Sequence, residues 1–192
     1  MNPSSGTLEL IVGNMFSGKS TELIRRINRE KSINKRILII NYYQDSRYSS
    51  ETVISTHDNN QMKCVKLKRI SELSEIPETI EAYDSIFIDE GQFFEDLYSE
   101  VIKLVDFHKK HVVISGLDGD SNRNTFGDII KLIPICDSIN KLTAYCNKCN
   151  NGTAAPFTKK INGDLSEVID IGGIDKYIPV CRYHFLDSGI QE

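Results

Sequence analysis

Short, largely apolar runs recur along the chain: LELIV at 8–12, RILIIN at 36–41, SIFI at 85–88 and HVVIS at 111–115. Each has the length of a strand, and none alternates with polar residues, which is the pattern of strands buried on both faces. Helical periodicity fills the gaps. In ELIRRINREK (22–31), Leu23, Ile24 and Ile27 share one face. Glu22 and Arg26, and again Arg26 and Glu30, lie four apart and predict a solvated, ion-paired face with surface arginines. A further helix is expected over about 97–109. MKCVKLK at 62–68 is a weaker strand candidate, and SINKLTAYC at 138–146 could supply one more. Strands alternating with helices predict an α/β fold, a parallel sheet with helices on both faces.

Composition narrows this picture. A chain of 192 residues with 40% hydrophobic and 26% charged content can bury one good core with a small appended module. The formal charge of -4 argues against a general nucleic-acid binder or an anionic-membrane binder. No apolar run approaches a membrane span, and MNPSSGTLEL lacks the pattern of a signal peptide, so a cytoplasmic protein is expected. Five cysteines, an odd number, disfavour a disulfide framework and direct attention to metal ligation.

The first candidate chemistry sits where the first strand meets the first helix. GNMFSGKST (13–21) fits the phosphate-binding pattern G-x-x-x-x-G-K-[ST] in its required strand-loop-helix context. Gly13 and Gly18 permit the torsions that turn N–H groups toward phosphate oxygens, Lys19 adds a mobile charge, and the hydroxyl of Ser20, with Thr21 beside it, suits Mg²⁺. SIFIDE places Asp89 and Glu90 at a strand tip, where P-loop proteins keep a metal-binding carboxylate and a group able to accept a proton. Gly91, Gln92, Phe93 and Phe94 follow, suggesting backbone close to a ligand and a flat surface beside it.

Other polar groups are ambiguous at this level. The loop after the second strand carries Asp45, Arg47, His57 and Asp58, and 116–127 (GLDGDSNRNTFG) reads equally as a ligand-lining or a plain surface loop. His108 and His111 read as a helix end and a strand start, and Cys64 and Cys136 as small core residues.

Cys146-x-x-Cys149 and Cys181-x-x-His184 are two chelating knuckles, together a tetrahedral Cys₃His zinc site with no open position. That predicts a structural zinc; a redox cysteine pair is the alternative. The segment 150–180 becomes a large loop tied at its base by the metal, and within it Gly172 and Gly173 precede Tyr177 in a stretch that either binds or turns.

With these blocks in order, MFSGKSTELIRR, DSRYS, THD, IDEGQFF, GLDGD with its later FG, IPICDSINKLTAYCNKC, and IGGIDKY with CRYH, the sequence resembles the small zinc-containing P-loop thymidine kinases over nearly its whole length. The resemblance implies a P-loop α/β domain at 1–143 and a zinc-binding lasso domain at 144–192. It implies ATP phosphates held by Gly13, Met15, Phe16, Ser17, Gly18, Lys19, Ser20 and Thr21. Asp45, Arg47 and Gln92 would stand nearby, Asp89 would serve Mg²⁺, and Glu90 would be the base. Met15, Phe93, Leu117, Phe126 and Thr158 would line the nucleoside pocket, with Val168, Ile169, Asp170, Ile171, Gly172 and Tyr177 around the base. The implied reaction is ATP-dependent 5′-phosphorylation of thymidine, or of deoxyuridine, by a homotetramer inhibited by thymidine triphosphate.

Some positions depart from the family pattern. Asn14 stands where Pro is common, at a variable loop position where little effect is expected. Ser121 falls where a Phe usually meets the base, and Asp170 where the lasso is usually apolar; both bear on base preference, with Phe93 or Phe126 as compensating aromatics. Rival readings are a nucleotide-switched regulatory protein, disfavoured by Glu90 and the lasso, and a zinc-dependent nucleic-acid module, disfavoured by net acidity.

Overall fold

The structure is a computed structural model and describes residues 5–43, 53–55, 61–75, 80–162, 173 and 175–187. In chain order the first part forms β1 (Thr7–Gly13), α1 (Lys19–Lys31), β2 (Ile37–Tyr42), β3 (Val53–Ser55), β4 (Gln61–Lys63), β5 (Val65–Leu67), β6 (Ser85–Ile88), α2 (Leu97–Ile102), β7 (His111–Leu117) and β8 (Ser138–Leu142). Six of these strands make one sheet in the order β5-β2-β6-β7-β1-β8, parallel at every pairing.

The largely apolar runs occupy the middle of that sheet for a direct reason. Successive side chains of a strand point to opposite faces, so a strand covered on both sides needs apolar residues at every position. On one face Ile11, Ile39, Phe87 and Val113 pack against Leu23, Ile24 and Ile27 of α1. On the other, Leu10, Val12, Ile40, Ile86, Ile88, Val112 and Ile114 pack against Leu97, Val101 and Leu104 and against 3₁₀ turns at Ile70–Glu75 and Ile129–Ile135. Each such side chain, fully buried, stabilises by about 1.5–3 kcal/mol.

Several expectations are corrected. Arg26 is not a surface residue: its side chain is only 15% exposed and bridges Glu22 and Glu9, because α1 lies across β1 on the face that Glu9 shares with Ile11. Glu30 turns instead to Lys35 and His111. The second helix is α-helical only to Ile102 and then widens into a π turn at Lys103–Phe107, closed by His108 N–H to Lys103 O (3.0 Å); this keeps Leu104 buried and Phe107 exposed. MKCVKLK is two strands, since buried Cys64 interrupts it: β4 pairs antiparallel with β3 and β5 parallel with β2. SINKLTAYC also divides, with β8 at the sheet edge beside β1 and the chain leaving the sheet after Leu142. Cys136 is half-buried at the margin of the core, its Sγ 3.2 Å from Ile133 O.

Beyond β8 the layers change. β9 (Ala144–Tyr145) pairs with β10 (Ala154–Ala155) and β11 (Phe157–Lys160) with β12 (Tyr177–Val180), both antiparallel, ahead of α3 (Arg182–Leu186). Ala144, Cys146, Ala155, Ile178, Val180 and Cys181 form a core of their own, flanked by Phe157, Phe185 and, from the other part of the chain, Phe16.

Candidate active site and metal centre

The phosphate-binding pattern forms the turn its glycines predict. β1 ends at Gly13, residues 14–18 cross to α1, and Gly18 occupies the left-handed region at φ 84, with open space where a Cβ would stand. Glycine is therefore needed there for its torsion rather than for room. Lys19 is buried, and its Nζ donates to Asn14 O (2.7 Å), which also accepts from Ser17 Oγ (2.8 Å). An ammonium held by a loop carbonyl beside a helix N-terminus is placed to exchange that oxygen for one on a phosphate.

Asp89 and Glu90 follow β6, two strands from β1, so the carboxylates and the phosphate loop share the carboxyl edge of the sheet about 10 Å apart. Both are buried. Asp89 accepts hydrogen bonds from Glu90 N–H and from the hydroxyl of Ser115, which is wholly buried on β7. Glu90 has left-handed torsions, φ 54 and ψ 41, unusual for a residue with a side chain and a feature that concentrates at functional sites. Its Oε2 accepts from Gln92 Nε2 at 2.5 Å, while Gln92 Oε1 accepts from Leu117 N–H at 2.9 Å. A Cβ on Gly127 would stand 2.0 Å from Gln92 O, so only glycine lets the 118–127 loop close against this relay.

An aromatic shelf adjoins the acids. Phe93 stacks on Tyr42 (5.1 Å, 24°) and meets the edge of Phe126 at 5.4 Å, bringing together two of the expected nucleoside-pocket residues. Leu117 is tied to the same cluster through Gln92, and Thr158 reaches Met15, accepting its N–H at 3.0 Å. Tyr177 is buried at the start of β12, opposite Lys160 in register. Asp45, Arg47, His57, Asp58 and the stretch Val168, Ile169, Asp170, Ile171 and Gly172 lie outside the described residues.

The 118–127 loop is more than a plain surface loop. Buried Asp120 accepts from Asn122 N–H, Asn124 N–H and Asn124 Nδ2, and Asp118 pairs with Lys141 Nζ at 2.7 Å. With Asn14, Arg123 and Thr158 these residues line a cleft of about 120 Å³ between the phosphate loop and the cysteine-bearing segment. Asn14 is itself a correction. It is buried at 2% exposure and hydrogen-bonded on both sides, because the chain entering β9 and the strand β11 both press against it.

The four knuckle residues converge. Their ligand atoms all lie within 4.8 Å of one another, with His184 Nδ1 at 3.5 Å from Cys146 Sγ and at 3.4 Å from Cys149 Sγ and from Cys181 Sγ. Zn–S bonds of about 2.3 Å arranged tetrahedrally require sulfurs about 3.8 Å apart. Cys149 Sγ and Cys181 Sγ are separated by 3.8 Å, so the site fits zinc, whereas a disulfide needs about 2 Å. Burial pushes the Cys146 thiol up, but hydrogen bonds from Cys181 N–H, Cys149 and His184 outweigh it and bring the group down to about 6, the direction a thiolate ligand requires. Lys159 Nζ caps the carbonyls of His184, Phe185 and Asp187 and so fixes the short helix that presents His184.

This constellation can be set beside known proteins. The family model for thymidine kinase matches residues 6–185. The chain belongs to the thymidine kinase family. It is 44% identical to a thymidine kinase of Oryza sativa subsp. japonica over 190 residues, covering 96% of this chain and 68% of the relative. It is 39% identical to that of Vaccinia virus (strain Western Reserve) over 185 residues, 96% of this chain and 99% of the relative, and 41% identical to the cytosolic thymidine kinase of Cricetulus griseus over 189 residues, 97% and 76%. A thymidine kinase is a phosphotransferase, and the chain is an enzyme of that kind. Among the described residues no helix is long and apolar enough to cross a membrane.

Residue-type reasoning passes over parts of this thymidine kinase site. Ser115 is hidden inside an apolar run, and its one sign is a hydroxyl in an otherwise apolar strand. Tyr42 closes β2 and supports Phe93; its one signal is an aromatic pair just past a buried strand. The Asp118–Lys141 pair joins residues far apart in sequence, and no local pattern announces it.

Proposed function

We propose that the protein transfers the γ-phosphoryl group of ATP to the 5′-oxygen of thymidine, with deoxyuridine as a second acceptor. The observation that carries the reading is the buried pair of carboxylates after β6. One, Asp89, is oriented by Ser115, and the other, Glu90, is held by Gln92 at the sheet edge that also bears the phosphate loop. A merely nucleotide-switched protein has no need of the second acid.

In this reading Gly13, Met15, Phe16, Ser17, Gly18, Lys19, Ser20 and Thr21 hold the triphosphate, and Lys19 leaves Asn14 O for the β- and γ-phosphates. The hard oxygens of Ser20 and Asp89 suit Mg²⁺, which supplies charge neutralisation on the transferring group. Glu90 accepts the proton of the 5′-hydroxyl as the O–P bond forms and the β–γ bond breaks, releasing ADP. Because the transition state is loose, most of the rate arises from positioning and electrostatics. Asp45 and Arg47 stand around the γ-phosphoryl group. Met15, Phe93, Leu117, Phe126 and Thr158 wall the nucleoside, with Tyr177 and 168–172 at the base.

The same proposal divides the chain into a nucleotide-binding domain (1–143) and a zinc-bound lasso domain (144–192) in a cytoplasmic enzyme. Assembly as a homotetramer and feedback inhibition by thymidine triphosphate belong to the same proposal and rest on the family resemblance. Ser121 is half-buried in the loop that carries Phe126, and Phe93 and Phe126, set nearly at right angles to each other, are the aromatic rings proposed to meet the base. Base stacking is worth about 1–3 kcal/mol.

The test is a panel of nucleosides with Mg-ATP, products resolved by chromatography. Thymidine and deoxyuridine are expected to yield 5′-monophosphates; tight ATP binding with no nucleoside phosphorylated would move the regulatory reading ahead.

A further inference from the structure

The phosphate loop is fastened to the metal-bearing core at successive residues. Asn14 Nδ2 donates to Met15 O (3.0 Å) and to Phe157 O (3.5 Å), and its Oδ1 accepts from Ala144 N–H (3.4 Å). Met15 N–H donates to Thr158 Oγ1 (3.0 Å), and the Phe16 ring packs on the cluster that contains Cys146 and Cys181.

The partners of Asn14 stand close to both ligand pairs. Ala144 lies in β9, two residues before Cys146. Phe157 pairs in register with Val180, the residue before Cys181. On its other side the main-chain oxygen of Asn14 receives Lys19 Nζ and Ser17 Oγ. One buried residue thus touches the approach to each knuckle and also sets the carbonyl on which the phosphate-binding lysine rests.

We propose that Asn14 is a positioning residue coupling metal occupancy of the Cys146, Cys149, Cys181 and His184 site to the geometry of the phosphate loop, so that zinc and ATP bind cooperatively. This rests on the reading above that the loop takes ATP. Zinc bound by Cys146, Cys149, Cys181 and His184 would tie the segments after β9 and β12 to each other, β11 is joined to them through its pairing with β12, and the amide of Asn14 lies between Ala144 and Phe157. Coupling between ligands is reciprocal, so nucleotide must in turn tighten the hold on the metal by the same factor. The hydrogen bonds at 3.4 and 3.5 Å are long, which puts the effect toward the lower end of the usual range, about 5- to 10-fold.

The experiment uses the full-length, zinc-loaded protein. Zinc affinity is measured by equilibrium competition with a chelating indicator, with and without a saturating non-hydrolysable ATP analogue and Mg²⁺, and analogue affinity is measured separately by titration. Wild type is expected to bind zinc about 5- to 10-fold more tightly with nucleotide. In Asn14→Ala the two zinc affinities should agree within about twofold, with analogue affinity weakened by the factor lost. Should Asn14→Ala fail to fold, Asn14→Ser serves as the shorter polar variant. Nucleotide-independent zinc affinity in wild type, or full retention of the effect in the folded variant, overturns the proposal. A protein that binds the analogue but phosphorylates no nucleoside contradicts the kinase reading alone and leaves this test standing.

Discussion

Replacing Glu90 by Gln removes one charge and one proton acceptor while keeping the volume of a side chain that is only 8% exposed. The carbonyl oxygen of the substituted amide can still accept from Gln92 Nε2, so the relay to Leu117 N–H survives and the loop should hold its shape. What disappears is the capacity to take the proton from the 5′-hydroxyl. A positioned general base contributes about 10²- to 10⁴-fold, so kcat should fall by that factor, an increase of about 2.7–5.5 kcal/mol in the barrier. ATP affinity should change little, since the phosphates are held by the loop at 13–21 and Lys19 rather than by Glu90. Steady-state turnover of thymidine, ATP titration and thermal melting of both proteins make the comparison. Turnover within a few-fold of wild type in a variant of unchanged stability would remove Glu90 from the chemistry.

Two further outcomes test other parts of the account. Metal analysis should find one zinc per chain, and Cys181→Ser, by removing a ligand from a site whose surrounding core is small, should lose the metal and lower Tm by about 5 °C or more. Glu22 is held down to about 2, first by its hydrogen bond to Arg25 and then by Arg26, against the burial that raises it. A depressed carboxyl stabilises the fold above its unfolded value of about 4.3 and loses that contribution as pH falls toward 2. Allowing for solvent around Arg25, Glu22→Gln should cost about 1 kcal/mol in denaturant melts at pH 7, with the difference fading between about pH 4.5 and 2; a constant difference across that range would refute the assignment.

The middle of the sheet is legible in the sequence because a strand buried on both faces must be largely apolar, and 8–12, 36–41, 85–88 and 111–115 are. The phosphate loop and the metal ligands are legible because each is a local spacing. What escapes is set by contacts distant in sequence. Arg26 reads as solvated until β1 places Glu9 beside it. Asn14 reads as filler in a variable loop until the chain around Ala144 and Phe157 closes over it. MKCVKLK and SINKLTAYC read as single strands because nothing in their patterns reveals that each half pairs with a different partner.

The central claim, that this P-loop chain moves a phosphoryl group onto thymidine, is tested most directly by label transfer. ATP carrying a labelled γ-phosphoryl group is incubated with thymidine, Mg²⁺ and the zinc-loaded protein. The account predicts label in thymidine monophosphate, removable by a 5′-nucleotidase. Label released only as inorganic phosphate, or retained on ATP while thymidine is bound, would contradict it.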